Sequence, residues 1–362
     1  MTKKSISSLE LAALINEMQF LVKGKVSQIY HQDEKEFLLQ LHAPGQGKKL
    51  LKVFPGKFLC LIDMKDDTPS RPSGFCMALR KYLSNAFIAA IYQKDAERIV
   101  VFELEKKEKY CLIFELFSKG NIVLVDENYM IIACLQWQRW KDRVVKPKVV
   151  YAFSQQGVNW KSVSQKELED IFSKSEKRNL ATSLATEIGL GGVYAEEVCL
   201  RAGLDKDIVP SSLDEKGAEK IHNVLKEFSA LVENPQGHIY EEEITPFALQ
   251  DKLVVEETTT YNEAISRLNP YEKTSPYEKK IKAIEKTIAT QEEAIVELGE
   301  KVIQNTRRGE LIYEKYALLQ KLLDIVNEMR KEHDWDKIEA ALRKEKKIRS
   351  VDLKKKSVVI EL

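Results

Sequence analysis

The 362-residue chain has few cysteines: Cys60, Cys76, Cys111, Cys134 and Cys199 are widely spaced, odd in number and form no Cys-x-x-Cys pair. That excludes a disulfide framework and a zinc finger, and it suits a reducing compartment. The five histidines are equally scattered, so no metal site and no cofactor is expected. No run reaches the roughly 18 apolar residues needed to span a bilayer, so no membrane role is expected. No apolar run follows Lys3-Lys4, so the chain reads as soluble and cytoplasmic. An excess of charge is missing too: 57 basic residues face 56 acidic ones, for a net charge of +1. Any nucleic-acid binding must therefore come from a local patch, not from a whole-molecule field.

What is present falls into blocks. Residues 7–22 read as an amphipathic helix with Leu11, Leu14, Ile15 and Met18 on its apolar face, and Ser7 with Glu10 makes a capping-box pattern. Between Lys25 and Asp63 short alternating runs are punctuated by Pro44-Gly45 and Pro55-Gly56, which is hairpin chemistry. A helix near 72–84 carries Arg80 and Lys81. Strands follow near 86–93, 98–105, 109–117, 121–126 and 130–137. So many short strands with tight turns predict an antiparallel sandwich or barrel with two helices packed on it.

After Tyr151 the pattern turns helical. Gly189-Leu190-Gly191-Gly192 joins two short helices, a helix-hairpin-helix whose exposed amides at Gly189, Gly191 and Gly192 can accept a backbone phosphate. An ordinary helix corner is the bland alternative. Tyr240 to Glu256 reads as a returning strand. Then Ser275-Pro276-Tyr277-Glu278 starts a long helix, with Tyr277, Ile281, Ile284, Ile288, Gln291, Ile295, Leu298, Val302 and Asn305 in four-three steps. That is a coiled-coil seam of about four heptads, which can pair within the chain or with a second copy. A further set, Ile312 to Val326, packs back on it or continues it. Val351 to Leu362 alternates like the first strand of a further domain.

The stretch that organises the amino-terminal half is Lys94 to Leu104, where Glu97 and Arg98 sit at the mouth of a buried strand. Strand neighbours point to opposite faces, so both cannot be core, but at a strand mouth both can reach one partner. The bland reading is a solvated strand end with a weak ion pair. For Glu10 it is the helix cap, for Arg80 and Lys81 a solvated face, for Arg143 a turn with a backbone contact, and for Asn121 a turn former.

Taken together, these segments resemble the amino-terminal half of the NFACT family, which includes RqcH, NEMF and proteins labelled fibronectin-binding protein A-like. The resemblance rests on Ser8 to Leu14, Phe75 to Leu83, Glu97-Arg98-Ile99-Val100, Gly120-Asn121 with Val125-Asp126, Tyr194 to Glu197, and Arg308 to Tyr313. The last of these has an archaeal flavour. Where the family carries aspartates, this chain has Glu10 and Glu97, each carboxylate one methylene further out. The resemblance implies a multidomain α+β fold. Residues 1–170 would form a β-rich domain similar to the amino-terminal fold of formamidopyrimidine-DNA glycosylases. A helix-hairpin-helix domain over 171–237, a return segment over 238–270, a coiled-coil arm over 271–346 and the start of a middle domain over 347–362 would follow.

The resemblance also implies a factor of ribosome quality control that binds tRNA and a large ribosomal subunit obstructed by peptidyl-tRNA. It would recruit charged tRNA for mRNA-independent tailing, with peptide transfer left to the ribosome, so the chain would not be an enzyme. Glu97, Arg98, Glu10, Arg80 and Lys81 would be the tRNA contacts. Three other classes compete. A DNA glycosylase needs an amino-terminal proline nucleophile, and this chain begins Met1-Thr2-Lys3. A surface adhesin needs export. A coiled-coil scaffold would form a homodimer through 276–330.

Overall fold

The computed structural model describes residues 5–33, 36–65, 71–140, 143–153, 157–268, 276–332, 338, 348–352 and 357–360. They fall into two units, Met1–Glu272 and Lys273–Leu362. In the first, the alternating apolar runs build two antiparallel meanders. One holds β1 (Lys25–Asp33), β2 (Glu36–Ala43), β3 (Gly47–Phe54) and β4 (Phe58–Ile62). The other holds β5 (Phe87–Gln93), β6 (Ile99–Glu105), β7 (Lys109–Glu115), β8 (Asn121–Asp126) and β9 (Ile131–Cys134). They are hydrogen-bonded into one continuous sheet in the order β4-β3-β2-β1-β5-β6-β7-β8-β9, where the expectation left a sandwich or a barrel open. The halves meet at a single register pair, Lys25 with Phe87. Strand periodicity reports which face is buried, not how meanders join, so the sequence could not decide between these arrangements.

A second bridge joins the halves through two turns. Gly120 adopts φ 70°, and a Cβ there would come within 2.0 Å of the Gly56 nitrogen. Gly56 N–H in turn donates to the Glu115 carbonyl at 3.0 Å. Only glycine permits that approach in the left-handed region.

Helix α1 (Ser8–Glu17) forms as its cap predicts: Ser7 Oγ accepts from Glu10 N at 3.2 Å, and Glu10 Oε2 accepts from Ser7 N at 2.9 Å. Instead of one apolar face, it is buried at every residue from Ser8 to Ile15. It is therefore a central helix. α2 (Gly74–Leu83) is capped by Ser73 and packs on β1 and β9. A short hairpin follows, β10 (Gln138–Arg139) and β11 (Val144–Val145).

The helical stretch gives α3 (Gln165–Lys174), α4 (Leu180–Thr186), α5 (Gly192–Ala202) and α6 (Glu215–Leu231). Leu168, Leu184, Tyr194 and Phe228 join the same buried cluster as Leu14 and Phe102, so one core runs from sheet to helices. Tyr240 to Glu256 is not one returning strand. It belongs to a small sheet in the order β13-β12-β14, made of β12 (Gly237–Ile239), β13 (Ile244–Thr245) and β14 (Glu256–Thr258). α7 (Tyr261–Leu268) then docks on α1. The Glu17 carboxylate accepts from Tyr261 N at 2.6 Å and Asn262 N at 2.8 Å, and Asn262 Oδ1 accepts from Leu61 N at 2.7 Å.

In the second unit, α8 (Pro276–Glu314) begins at the expected proline, while Ser275 lies outside the described residues. α9 (Tyr316–Glu332) follows directly after Lys315, and β15 (Ile348–Asp352) pairs antiparallel with β16 (Ser357–Ile360), a hairpin where a single strand was expected. Ile281, Ile284, Ile295, Leu298, Val302, Ile312, Tyr316 and Leu323 are all exposed, so neither set of seam residues is covered.

Candidate functional site

The β5–β6 turn is the anchor. Asp95 takes φ 49°, Glu97 N donates to the Lys94 carbonyl at 3.0 Å, and Lys94 N donates to the Ile99 carbonyl at 2.9 Å. Beneath it Gln93 Nε2 donates to the Glu97 carbonyl at 2.9 Å and the Ser8 carbonyl at 3.0 Å. Ser8 Oγ donates to the Ala96 carbonyl and accepts from the buried Trp160 indole at 2.9 Å. Lys161 Nζ closes the group on Gln93 Oε1 at 3.1 Å, and burial pulls its pKa below the usual lysine value. The turn is thus tied through Ser8 and Gln93 to the start of α1, which fixes where Glu97 and Arg98 project.

They project into a cleft of about 490 Å³. Its floor is Ser5 to Ser8, its near wall Ala96 to Arg98 with Gly157, and its far wall Ala185 to Gly189 with Gly191. Arg98 Nη1 donates to Ser5 Oγ at 3.0 Å, and no carboxylate lies within ion-pair distance of it among the described residues. Burial pushes the guanidinium pKa below its ordinary value, with the Glu97 carboxylate opposing the shift. A half-buried cation that hydrogen-bonds, among the described residues, a neutral hydroxyl alone has lost hydration for little beyond the nearby charge of Glu97. The cleft's two acids are already engaged. Glu97 Oε1 accepts from Gly157 N at 2.9 Å, and Glu187 Oε2 accepts from Ser175 at 2.7 Å and Ser183 at 2.6 Å.

The far wall is the glycine hairpin. Gly189 and Gly191 adopt φ 80° and 81°, and a Cβ at either would meet nothing within 4 Å. Gly191 is the N-cap of α5 and supplies no side chain to its first amides. That leaves a positive helix end without a protein ligand of its own.

The structure thus brings the neighbours Glu97 and Arg98 together with Gly189 and Gly191, two pairs far apart in sequence. Gly192 instead lines an adjoining hollow with Glu196, Glu197 and Leu249. Glu10 is buried beneath the cleft, where Tyr194 Oη donates to its Oε1 at 2.8 Å, so its carboxylate serves the helix cap and the α1–α5 contact. Arg80 lies away from the cleft, its Nε donating to the Ile29 carbonyl at 2.7 Å and its guanidinium over the Tyr30 ring. Lys81 is exposed on the same helix.

Arg143 does make a backbone contact, to the Ala152 carbonyl at 3.2 Å, but its main partner is the buried Glu115 at 2.9 Å. Asn121 is not a turn former. It is fully buried and clamps β8 to residues 136–138 through Gln136 and Gln138. Ser5 and Gly157 were missed because nothing local marks a residue whose partner lies 60 or more positions away, and Glu187 because its bonds to Ser175 and Ser183 give no sign of the cleft it lines.

Among the described residues no cluster of three His, Cys, Asp or Glu side chains is gathered to hold a metal. No described helix is long and apolar enough to cross a membrane.

Known proteins share this chain's sequence pattern and fold. The chain is similar to the archaeal Rqc2 homolog aRqcH of Methanocaldococcus jannaschii, 28% identical over 95% of this chain and 55% of that protein. It is also similar to the human ribosome quality control complex subunit NEMF, 27% identical over 72% of this chain and 25% of that protein. The chain therefore spans about half the length of the first relative and a quarter of the second. The fold matches the solved amino-terminal part of the fibronectin/fibrinogen-binding protein from Streptococcus suis, with a TM-score of 0.60 at 21% identity over 74% of this chain and 100% of that one. A family model described as NFACT N-terminal and middle domains matches residues 7–361, and the chain belongs to that family.

Proposed function

We propose that this chain is a cytoplasmic ribosome quality-control factor that holds tRNA in the Glu97–Arg98 cleft and engages an obstructed large ribosomal subunit. It recruits charged tRNA for mRNA-independent carboxy-terminal tailing, and the ribosome performs the peptide transfer. The names of its relatives support the process, and one observation supports the site: Arg98 is half buried, its side chain hydrogen-bonded to Ser5 alone among the described residues, in the cleft that Gly189 and Gly191 also line.

The cleft is no basic funnel, since Glu97 and Glu187 line it with Arg98. It suits a ligand that offers donors as well as an anion. Base amino groups can donate to the carboxylates, while a phosphate or 2′-hydroxyl meets the guanidinium fork and the hairpin amides. Unpaired loop nucleotides of tRNA present those groups; a duplex backbone alone does not.

Binding of the purified chain to total tRNA across a salt series tests this. Wild type is expected to bind, with Arg98→Ala weakening binding by about tenfold or more, as for loss of a charge-assisted contact. The salt slope should fall by only about one unit, because one cation is removed. Arg98→Lys should recover part of the affinity, which separates loss of contact from loss of fold. Unchanged binding in Arg98→Ala overturns the site.

A second reading, a homodimeric scaffold, is favoured by the exposed seam of α8. Sedimentation at increasing concentration tests it, and mutation of Ile295 to Asp should abolish any dimer so formed.

A further inference from the structure

A search beyond the cleft leads to the β10–β11 hairpin. Trp137 is 76% exposed and Trp140 39%, while the chain buries Trp160 almost completely. Indole is too large and apolar to be left in water without reason, and two together mark a surface meant to be covered. Around them, residues 136–150 carry Arg139, Lys141, Arg143, Lys146 and Lys148 against the single acid Asp142, a local +4 in a chain of net +1. This is the local basic patch that whole-chain charge could not reveal.

The hairpin is built, not loose. Arg143 is buried against Glu115 at 2.9 Å, and Tyr151 Oη donates to the same Glu115 oxygen at 2.8 Å. The Arg143 guanidinium lies 4.6 Å from the Trp140 ring centroid. That stack holds Trp140 from the protein side and leaves it part exposed. Asn121 and Gln138 fix the hairpin's base: Asn121 Nδ2 donates to the Gln136 carbonyl at 2.9 Å, and Gln138 Nε2 donates to the Gly120 carbonyl at 3.0 Å. Between the two strands lies a shallow hollow of about 490 Å³, floored by Val144, Val145 and Val149 and rimmed by Trp137, Arg139 and Lys146. An apolar floor beside an exposed indole and a cationic rim is what a planar base on an anionic backbone needs.

Its place in the sheet adds a second constraint. Ile99, next to Arg98, pairs with Glu115, which pairs with Asn121, the residue that clamps the hairpin. Two strand spacings, about 10 Å, therefore separate the Arg98 end of β6 from the strand that carries the hairpin. Val145 of the hairpin packs with Ile99, whose strand neighbour Arg98 points to the other face, so the two sites are near one another along the sheet but face different ways.

We propose that the β10–β11 hairpin is a second RNA site, a stacking platform for unpaired bases with Trp137 as its ring and Arg139 and Lys146 on the adjoining phosphates. It rests on the RNA-binding reading above and supplies the backbone electrostatics that the acidic cleft lacks.

The test is fluorescence anisotropy with the whole chain and three labelled probes: an unstructured single-stranded RNA, a blunt RNA duplex, and total tRNA. Trp137→Ala should weaken single-strand binding by at least about fivefold, the lower end expected for one lost stack. Trp137→Phe, which keeps a stacking face, should stay near wild type, and duplex binding should not change. Because Trp137 is so exposed, folding is not at risk, and circular dichroism would confirm it. Arg139→Glu with Lys146→Glu should weaken all three probes.

Single-strand binding in Trp137→Ala within twofold of wild type overturns the proposal, and that is also the result a protein-binding face would give. If Arg98→Ala loses tRNA while Trp137→Ala does not, the cleft stands and the platform falls. If Trp137→Ala loses single strands while Arg98→Ala keeps tRNA, the platform stands and the cleft falls. If wild type binds no RNA, both fall.

Discussion

The sheet unit and the helical arm are written in the same apolar residues and treat them in opposite ways. Phe102, Leu112 and Phe114 are fully buried in the first, whereas Ile295 and Val302 on α8 are 68% and 63% exposed. The difference lies in what each segment finds within its own chain. A meander meets its neighbour two to five residues later and closes a core locally, while a lone helix with a seam can bury it only against another helix. Stability is therefore concentrated in the first unit, while α8 leaves apolar surface exposed.

Glycine substitutions would break the comparison most sharply. Gly120→Ala forces a Cβ to 2.0 Å from the Gly56 nitrogen at φ 70°. It should cost about 3–5 kcal/mol or prevent folding, read as the urea midpoint of the first unit. The opposite end of the same experiment comes last below.

A smaller effect is set by pH. Burial raises the Glu17 carboxyl from 4.5 to about 7, against the pull of the Asn262 and Tyr261 amides it caps. A carboxyl raised in the folded state binds protons more tightly there than in the unfolded chain. Its contribution is therefore complete below pH 4.5 and is lost as pH rises through about 7. The first unit should lose about 2 kcal/mol over that window, and Glu17→Gln should flatten the slope in Tm-against-pH scans. A wild-type slope of opposite sign, absent from the variant, would show that the amides outweigh burial.

Next is Tyr194→Phe, which removes the 2.8 Å bond to Glu10. Leaving a buried carboxylate oxygen short of a donor should cost about 1–3 kcal/mol. It should also lower tRNA affinity if the hairpin is held in place through that bond. Smallest is Gly299→Ala in α8, where a Cβ would meet nothing within 4 Å. It should raise helicity and stabilise the arm by up to about 1 kcal/mol, leaving the first unit untouched.

Much of this was legible beforehand. The capping box at Ser7 and Glu10, the strand limits near 87–93, 99–105 and 121–126, and the helix start at Pro276 follow from local rules, because each depends on residues within one turn of helix or strand. The number of sheets did not follow, nor did the fragmentation of 240–256, since alternation looks alike in every antiparallel arrangement. At the site, Glu97 and Arg98 stood out as charges at a strand mouth. Their engagement could not be read: Gly157 caps Glu97 from 60 residues away, and Ser5 meets Arg98 from 93. Glu10 shows the reverse error, a charge taken for a ligand that folding turned into a buried cap.

By itself, then, the sequence determined what short-range physics controls: where helices start and stop, which strand faces are apolar, that the arm carries a seam, and that the chain belongs among the relatives it resembles. Only the tertiary structure decided which charges share a cleft and which tryptophans stay in the open. Those depend on the meeting of β5–β6, α1, the glycine hairpin and β10–β11, segments drawn from across some 190 residues. Their convergence is enforced by burial of two cores on either face of the shared sheet, a collective property that no window of sequence contains.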